Sequence, residues 1–196
     1  MTDEAPRVSL VNLPNALTVL RLILVPVFLL ALFAEGGHST SWRWAAGVIF
    51  AVAAITDRYD GHIARKRGQV TDFGKIADPI ADKALTGSAL IGLSMLGDVP
   101  WWMTVVILVR EIGITLLRLV VIRYGVIAAS PGGKAKTLVQ ILAIGLYVLP
   151  LPAGLEWLRI GLLWLALALT VGTGVDYLVR AALLVSRSKG SQRGVR

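Results

Sequence analysis

The sequence predicts an all-α integral-membrane protein of six transmembrane helices. Hydrophobic residues fill 56% of the 196 positions and the mean hydropathy is +0.72, too apolar for a water-soluble surface. The apolar residues gather in six stretches, roughly 17–35, 43–57, 79–97, 100–123, 136–152 and 156–185, each about long enough to cross a bilayer once tilt is allowed. Short runs of turn-forming residues separate several of them: Glu35-Gly36-Gly37, Gly97-Asp98-Val99-Pro100, Ser130-Pro131-Gly132-Gly133 and Leu151-Pro152-Ala153-Gly154.

The first stretch follows a polar, partly acidic start and is long enough to remain as a span, so no cleavable signal peptide is read here. Val8 to Val19 is read as beginning with a short interfacial helix. The second stretch is short unless its helix continues through Ile63 into the headgroup zone. The sixth exceeds one crossing and should project past the membrane. Residues 188–196 are polar and basic and are expected to form a disordered tail, leaving 1–187 as one six-helix domain. No internal repeat is apparent.

Charge assigns the sides. Arg58, Arg65, Lys66, Arg67 and Lys75 follow the second stretch, Arg123, Lys134 and Lys136 follow the fourth, and Arg187, Lys189, Arg193 and Arg196 close the chain. The opposite loops hold Glu35, Arg43, Asp98, Glu156 and Arg159, with little positive excess. By the positive-inside rule both termini are cytoplasmic, in keeping with an even number of spans in a cell (inner) membrane. The net charge of +8 lies mostly in loops and at the C-terminus, which suits a membrane surface and not nucleic acid. There is no cysteine, so thiolate metal sites and disulfides are excluded. The six tryptophans fit interfacial anchoring.

One segment places carboxylates where they are costly. Asp57 and Asp60 stand three apart and Asp78 and Asp82 four apart, so on helices each pair shares a face. With Gly61, Ala64, Arg65 and Gly74 they read Asp-x2-Asp-Gly-x2-Ala-Arg-x8-Gly-x3-Asp-x3-Asp. Ionisable groups at membrane depth usually line a water-filled cavity and serve function. Four crowded carboxylates repel unless cations intervene. Mg²⁺ or Mn²⁺ fits better than zinc, because no Cys or His is spaced with them. Two such ions could grip a pyrophosphate. Gly61 and Ala64 keep the helix surface bare for a flat nucleotide, and Arg65 offers a planar fork for phosphate. A simpler reading pairs the aspartates with Arg58, Arg65, Lys66 and Lys83, but leaves the Gly, Ala and Gly positions unexplained.

This arrangement resembles the signature of the CDP-alcohol phosphatidyltransferases, integral-membrane enzymes of phospholipid synthesis. The resemblance implies that family's fold, with Asp57, Asp60 and Asp78 as metal ligands and Asp82 as general base with a share in metal binding. Gly61, Arg65 and Thr71, with Ala64 and Gly74 of the motif, would meet the CDP-lipid head. Pro14, Asn15, Thr18 and Arg21 match the family's N-terminal PNxxTxxR segment, which adds Asn15 and Thr18 to the CDP-lipid set. Arg21 could equally snorkel to the headgroups. A homodimer is also implied.

A second constellation bears on the acceptor. Arg110 and Arg118 lie eight residues apart on the fourth stretch, and Lys134 and Lys136 follow on the next loop beside Gly132 and Gly133, whose backbone N–H groups are open. Together they could hold the phosphate of a phosphorylated acceptor. Alternatively, of Arg110 and Arg118 one snorkels and the other pairs with Glu111. The segments LPNALTVLRLILVPVF, VREIGITLLR and ASPGGKAKTLVQ resemble the family branch that takes sn-glycerol 3-phosphate, over residues 12 to about 145. That implies transfer of a phosphatidyl group from CDP-diacylglycerol to glycerol 3-phosphate, with release of CMP. Arg58-Tyr59 depart from the pattern by their bulk. Members forming phosphatidylinositol phosphate or cardiolipin are the near alternatives. A small cation transporter is the distant one, disfavoured because the aspartates sit at a basic edge and not at the midplane.

Overall fold

The computed structural model describes residues 13–67, 72–122 and 131–193, with side chains over 15–56, 80–122 and 132–186. Six α-helices follow in order: α1 Leu13–Phe33, α2 Thr40–Arg67, α3 Asp72–Met95, α4 Trp101–Val121, α5 Pro131–Val148 and α6 Glu156–Arg193. Short 3₁₀ turns, Ala34–Gly37 and Ala153–Leu155, precede α2 and α6. The all-helical expectation holds. α2 does continue through Ile63, to Arg67. α1 is a single helix from Leu13, with no break at Val19; residues 8–12 of the expected interfacial helix lie outside the described residues. At 38 residues α6 is roughly 57 Å long, well beyond the ~30 Å hydrocarbon core. It runs through Ser188–Arg193, where the sequence reading placed a separate tail.

Packing groups the chain into two compact units, Met1–Asp98 with Gly145–Pro150, and Val99–Ile144 with Leu151–Arg196. Among the described residues, two segments are long and apolar enough to cross a membrane, Asn15–Gly37 and Ala153–Ser186. The other helices carry the charges noted above: the aspartate segment in α2 and α3, Arg110, Glu111 and Arg118 in α4, and Lys134 and Lys136 in α5. Yet every helix turns large apolar side chains outward, as at Leu30, Val48, Ile91, Leu119, Leu142 and Val175. Such a surface is costly in water and at home among lipid tails.

In the first unit α1 packs against both α2 and α3. Phe28 and Leu32 of α1 meet a face of α2 built from Ala46, Phe50 and Ala53, and Leu85, Ala89 and Leu93 of α3 complete the core. The Phe28 and Phe50 rings lie 5.7 Å apart. Ala46 and Ala53, two turns apart on α2 with Phe50 between them, let α1 approach closely, and in a bilayer such packing is a main source of association energy. The turn after α1 needs Gly37: its φ is +79°, and a Cβ there would lie 2.6 Å from Leu96 Cδ2.

Arg43, at the start of α2, ties this end together. Its Nε donates to Gly37 O at 2.8 Å, Nη1 to Tyr147 O at 3.2 Å, and Nη2 to the Asp98 carboxylate. In the second unit Arg159 pairs with Glu156 at 3.0 Å. Four of the five loop charges named above are thus paired, Arg43 with Asp98 and Arg159 with Glu156. Arg43→Ala strips three bonds and leaves a half-buried Asp98 uncompensated, so it should cost roughly 2–4 kcal/mol. Thermal unfolding in detergent checks this, and an unchanged melting temperature would reduce the bracket to a surface contact.

In the second unit Met103, Thr104 and Ile107 of α4 and Leu163, Ala166, Leu167 and Thr170 of α6 are buried, and Trp102 packs on Trp164 with ring centroids 5.7 Å apart. All six tryptophans are exposed. Trp42 and Trp44, Trp101 and Trp102, and Trp157 stand at the starts of α2, α4 and α6, as interfacial anchors would.

Candidate active site

The aspartate motif straddles two helices. α2 carries Asp57, Asp60, Gly61, Ala64 and Arg65 in its last three turns, and α3 carries Gly74, Asp78 and Asp82 in its first three. Both backbones are helical through these positions, so the three- and four-residue spacings do put each pair on one face. Side chains from Asp57 to Pro79, including Asp57, Asp60, Gly61, Ala64, Arg65, Gly74 and Asp78, lie outside the described residues, and Thr71 lies outside them altogether. Among the described residues no group of three acids or histidines forms a metal cluster. Asp82 is described: it is half-buried, between the core residues Ala81 and Leu85, and its backbone carbonyl accepts from Thr86 Oγ1 at 3.0 Å. The motif's donor chemistry is four carboxylates with no thiolate, and hard divalent cations suit it.

α1 brings a polar stripe to the same unit. Asn15, Thr18 and Arg21, three residues apart, are all buried, on a helix packed against α2 and α3. Each is engaged with other groups of the chain. Arg21 has no exposed surface at all, so it does not snorkel to the headgroups. A fully buried guanidinium is stable only with partners. The polar stripe therefore belongs to the interior that the motif helices share.

The expected acceptor cations fall into separate settings. Arg110 Nη1 donates to Glu111 Oε1 at 3.1 Å, Nε to Thr170 O at 3.1 Å and Nη2 to Thr173 Oγ1 at 2.7 Å. Lys136, in the first turns of α5 and only 4% exposed, bonds the same Glu111 oxygen. Arg110 and Lys136 therefore meet at one carboxylate. Arg118, two turns further along α4, lies over the Tyr177 ring, 5.8 Å from its centroid, and Lys134 is exposed. Asp176 and Arg180 form an exposed helix pair at 2.9 Å.

Sequence reasoning missed the α6 side of this cluster. Thr170 and Thr173 lie in what reads as an apolar span, and Gly174 makes room for the arginine, since a Cβ there would sit 3.2 Å from Arg110 Cγ. The available signal was the run Thr170-Val171-Gly172-Thr173-Gly174, polar and small within a lipid-length helix.

Comparison with known proteins decides the family. The model of the CDP-alcohol phosphatidyltransferases matches residues 11–172, most of the chain. This protein belongs to that family. CDP-alcohol phosphatidyltransferases are membrane-embedded and use divalent metal. Among similar proteins, a Mycobacterium tuberculosis protein named "Probable phosphatidylglycerophosphate synthase" is 61% identical over 177 residues, 90% of this chain and 85% of the relative. A Bacillus subtilis CDP-diacylglycerol–glycerol-3-phosphate 3-phosphatidyltransferase is 40% identical, covering 85% of this chain and 93% of its own. The Shigella flexneri protein of the same name is 36% identical, covering 88% and 97%.

Proposed function

We propose that this protein is a phosphatidylglycerophosphate synthase. It transfers the phosphatidyl group of CDP-diacylglycerol to sn-glycerol 3-phosphate and releases CMP. The observation that carries the reading is the 61% identity, over 90% of the chain, to a relative named for that synthesis. The chemistry of the chain agrees with it, since carboxylates suit a pyrophosphate donor and buried cations suit a phosphorylated acceptor.

In this reading Asp57, Asp60, Asp78 and Asp82 hold two Mg²⁺ or Mn²⁺ ions. When bound, these neutralise the pyrophosphate and the charge growing on the departing phosphate. Arg65 and the bare surface at Gly61, Ala64 and Gly74 receive the CDP head, with Thr71, Asn15 and Thr18 completing its contacts. Asp82 takes the proton from the C1 hydroxyl of glycerol 3-phosphate as that oxygen bonds to the β-phosphorus. The bond from that phosphorus to the bridging oxygen breaks, and CMP leaves with the electron pair. Arg110, Arg118, Lys134 and Lys136 supply the positive charge that holds the acceptor phosphate. All six helices cross the membrane, with both termini and the site on the cytoplasmic side, where the soluble acceptor is available. The protein works as a homodimer.

An acceptor panel tests the assignment. With CDP-diacylglycerol, only glycerol 3-phosphate should sustain CMP release, against inositol, inositol 1-phosphate, serine and phosphatidylglycerol. Comparable turnover with inositol 1-phosphate or phosphatidylglycerol would reassign the acceptor within the family.

A further inference from the structure

A pocket built only to grip a phosphate would leave its cations to the ligand. Here an acid is built in among them. Glu111 Oε1 accepts from both Arg110 Nη1 and Lys136 Nζ, and all three side chains are mostly buried. The other bonds of the Arg110 guanidinium run to α6, at Thr170 O and Thr173 Oγ1. Arg110 is thus a fixed bracket that orients the carboxylate, and Lys136 is the cation on the side of the first turn of α5.

We propose that Glu111 sets the affinity of the acceptor pocket by competing, as an internal anion, for Lys136. This rests on the acceptor reading above. Transfer occurs at the C1 hydroxyl, so the phosphate monoester of glycerol 3-phosphate passes unchanged into the product. The same contacts therefore hold substrate before the reaction and product after it. Binding that is equally strong throughout lowers KM without raising kcat, and it slows release. A carboxylate clamped onto Lys136 weakens that uniform grip. Arg110, held by α6, keeps the carboxylate in place when phosphate arrives.

The sign of the effect separates this role from a structural one. Glu111→Gln removes the anion that competes for Lys136, so an arriving phosphate meets less competition for the ammonium. In the full-length protein in detergent, inorganic phosphate should inhibit this variant with a Ki about tenfold lower than wild type. The KM for glycerol 3-phosphate should fall with it, kcat should fall, and the KM for CDP-diacylglycerol should stay within about twofold. Phosphate should also raise the melting temperature of Glu111→Gln more than that of wild type, because tighter binding to the folded state gives the larger shift. Should Glu111→Gln not fold, Glu111→Asp keeps the charge but withdraws it by one methylene, and should shift Ki about threefold the same way. A phosphate Ki that is unchanged or raised would overturn the proposal. Lys136→Ala, measured alongside, distinguishes the failures. If it weakens phosphate inhibition while Glu111→Gln does not strengthen it, only the tempering role falls. If Lys136→Ala leaves phosphate and glycerol 3-phosphate untouched, the acceptor pocket itself is misplaced and both readings fall.

Discussion

Chelation with EDTA is expected to abolish phosphatidyl transfer completely, and millimolar Mg²⁺ or Mn²⁺ to restore it. The reason is electrostatic. Side chains three or four apart on a helix are neighbours, ~5–6 Å between Cβ atoms, and two unit charges at that distance repel by about 3 kcal/mol at an effective dielectric of ~20. In the two-metal reading Asp57 with Asp60 and Asp78 with Asp82 would each carry that cost, before any repulsion between the pairs. Without cations the carboxylates cannot all stay ionised, and a site that remains anionic repels the pyrophosphate. Asp57→Ala and Asp60→Ala should reproduce the loss locally, lowering metal-dependent binding of the CDP-lipid by about 100-fold, since each removes a metal ligand and its charge. Equilibrium binding of CDP-diacylglycerol at several Mn²⁺ concentrations measures this. Full turnover after rigorous chelation would exclude the two-metal reading.

How much of this was legible in the sequence depended on how local each interaction is. The helices were, because a bilayer demands a fixed length of apolar chain and the turns between them are spelled in Gly, Pro and Asp. The helical backbone beneath the aspartate motif was, because apolar and small residues at helical spacing surround it, and α2 and α3 are helical there. Arg21 was ambiguous, since snorkelling and burial differ only in what packs beside α1; the fully buried side chain decides it. The Glu111 cluster was harder to read. Lys136 lies 25 residues from Glu111 and Thr173 lies 63 from Arg110, so no spacing rule links them. The four expected acceptor cations consequently looked equivalent, while the structure gives Arg110 to α6, Lys136 to Glu111 and Arg118 to Tyr177. The far end of α6 misled for a different reason. Ser188 to Arg193 is polar enough to read as disordered, but a helix already nucleated by a long apolar run can extend at little cost.

Asp82→Asn should cut kcat by roughly 10²–10⁴-fold, the usual contribution of a positioned general base, while leaving CDP-lipid binding within a few-fold of wild type. Asparagine has nearly the same size and keeps a carbonyl oxygen that can still reach a cation, but it cannot take a proton. Whether the fold keeps its stability is read separately, by thermal unfolding in detergent. Asp82 is half-buried, the core contacts at this level come from Ala81 and Leu85, and the Thr86 hydroxyl bonds the backbone carbonyl of Asp82 and not its side chain. An unchanged melting temperature would show that a loss of activity does not reflect a loosened α3. The contrast with Asp57→Ala is the informative part. There binding falls first and turnover follows; here the donor stays bound and the chemical step stalls, so that kcat drops while the KM for CDP-diacylglycerol barely moves. Single-turnover CMP release from pre-bound CDP-diacylglycerol isolates that step. Near-normal release from Asp82→Asn would mean that the proton of the glycerol hydroxyl goes elsewhere. Asp82 would then be a metal ligand only, and the search for the base would move to the other carboxylates of the motif.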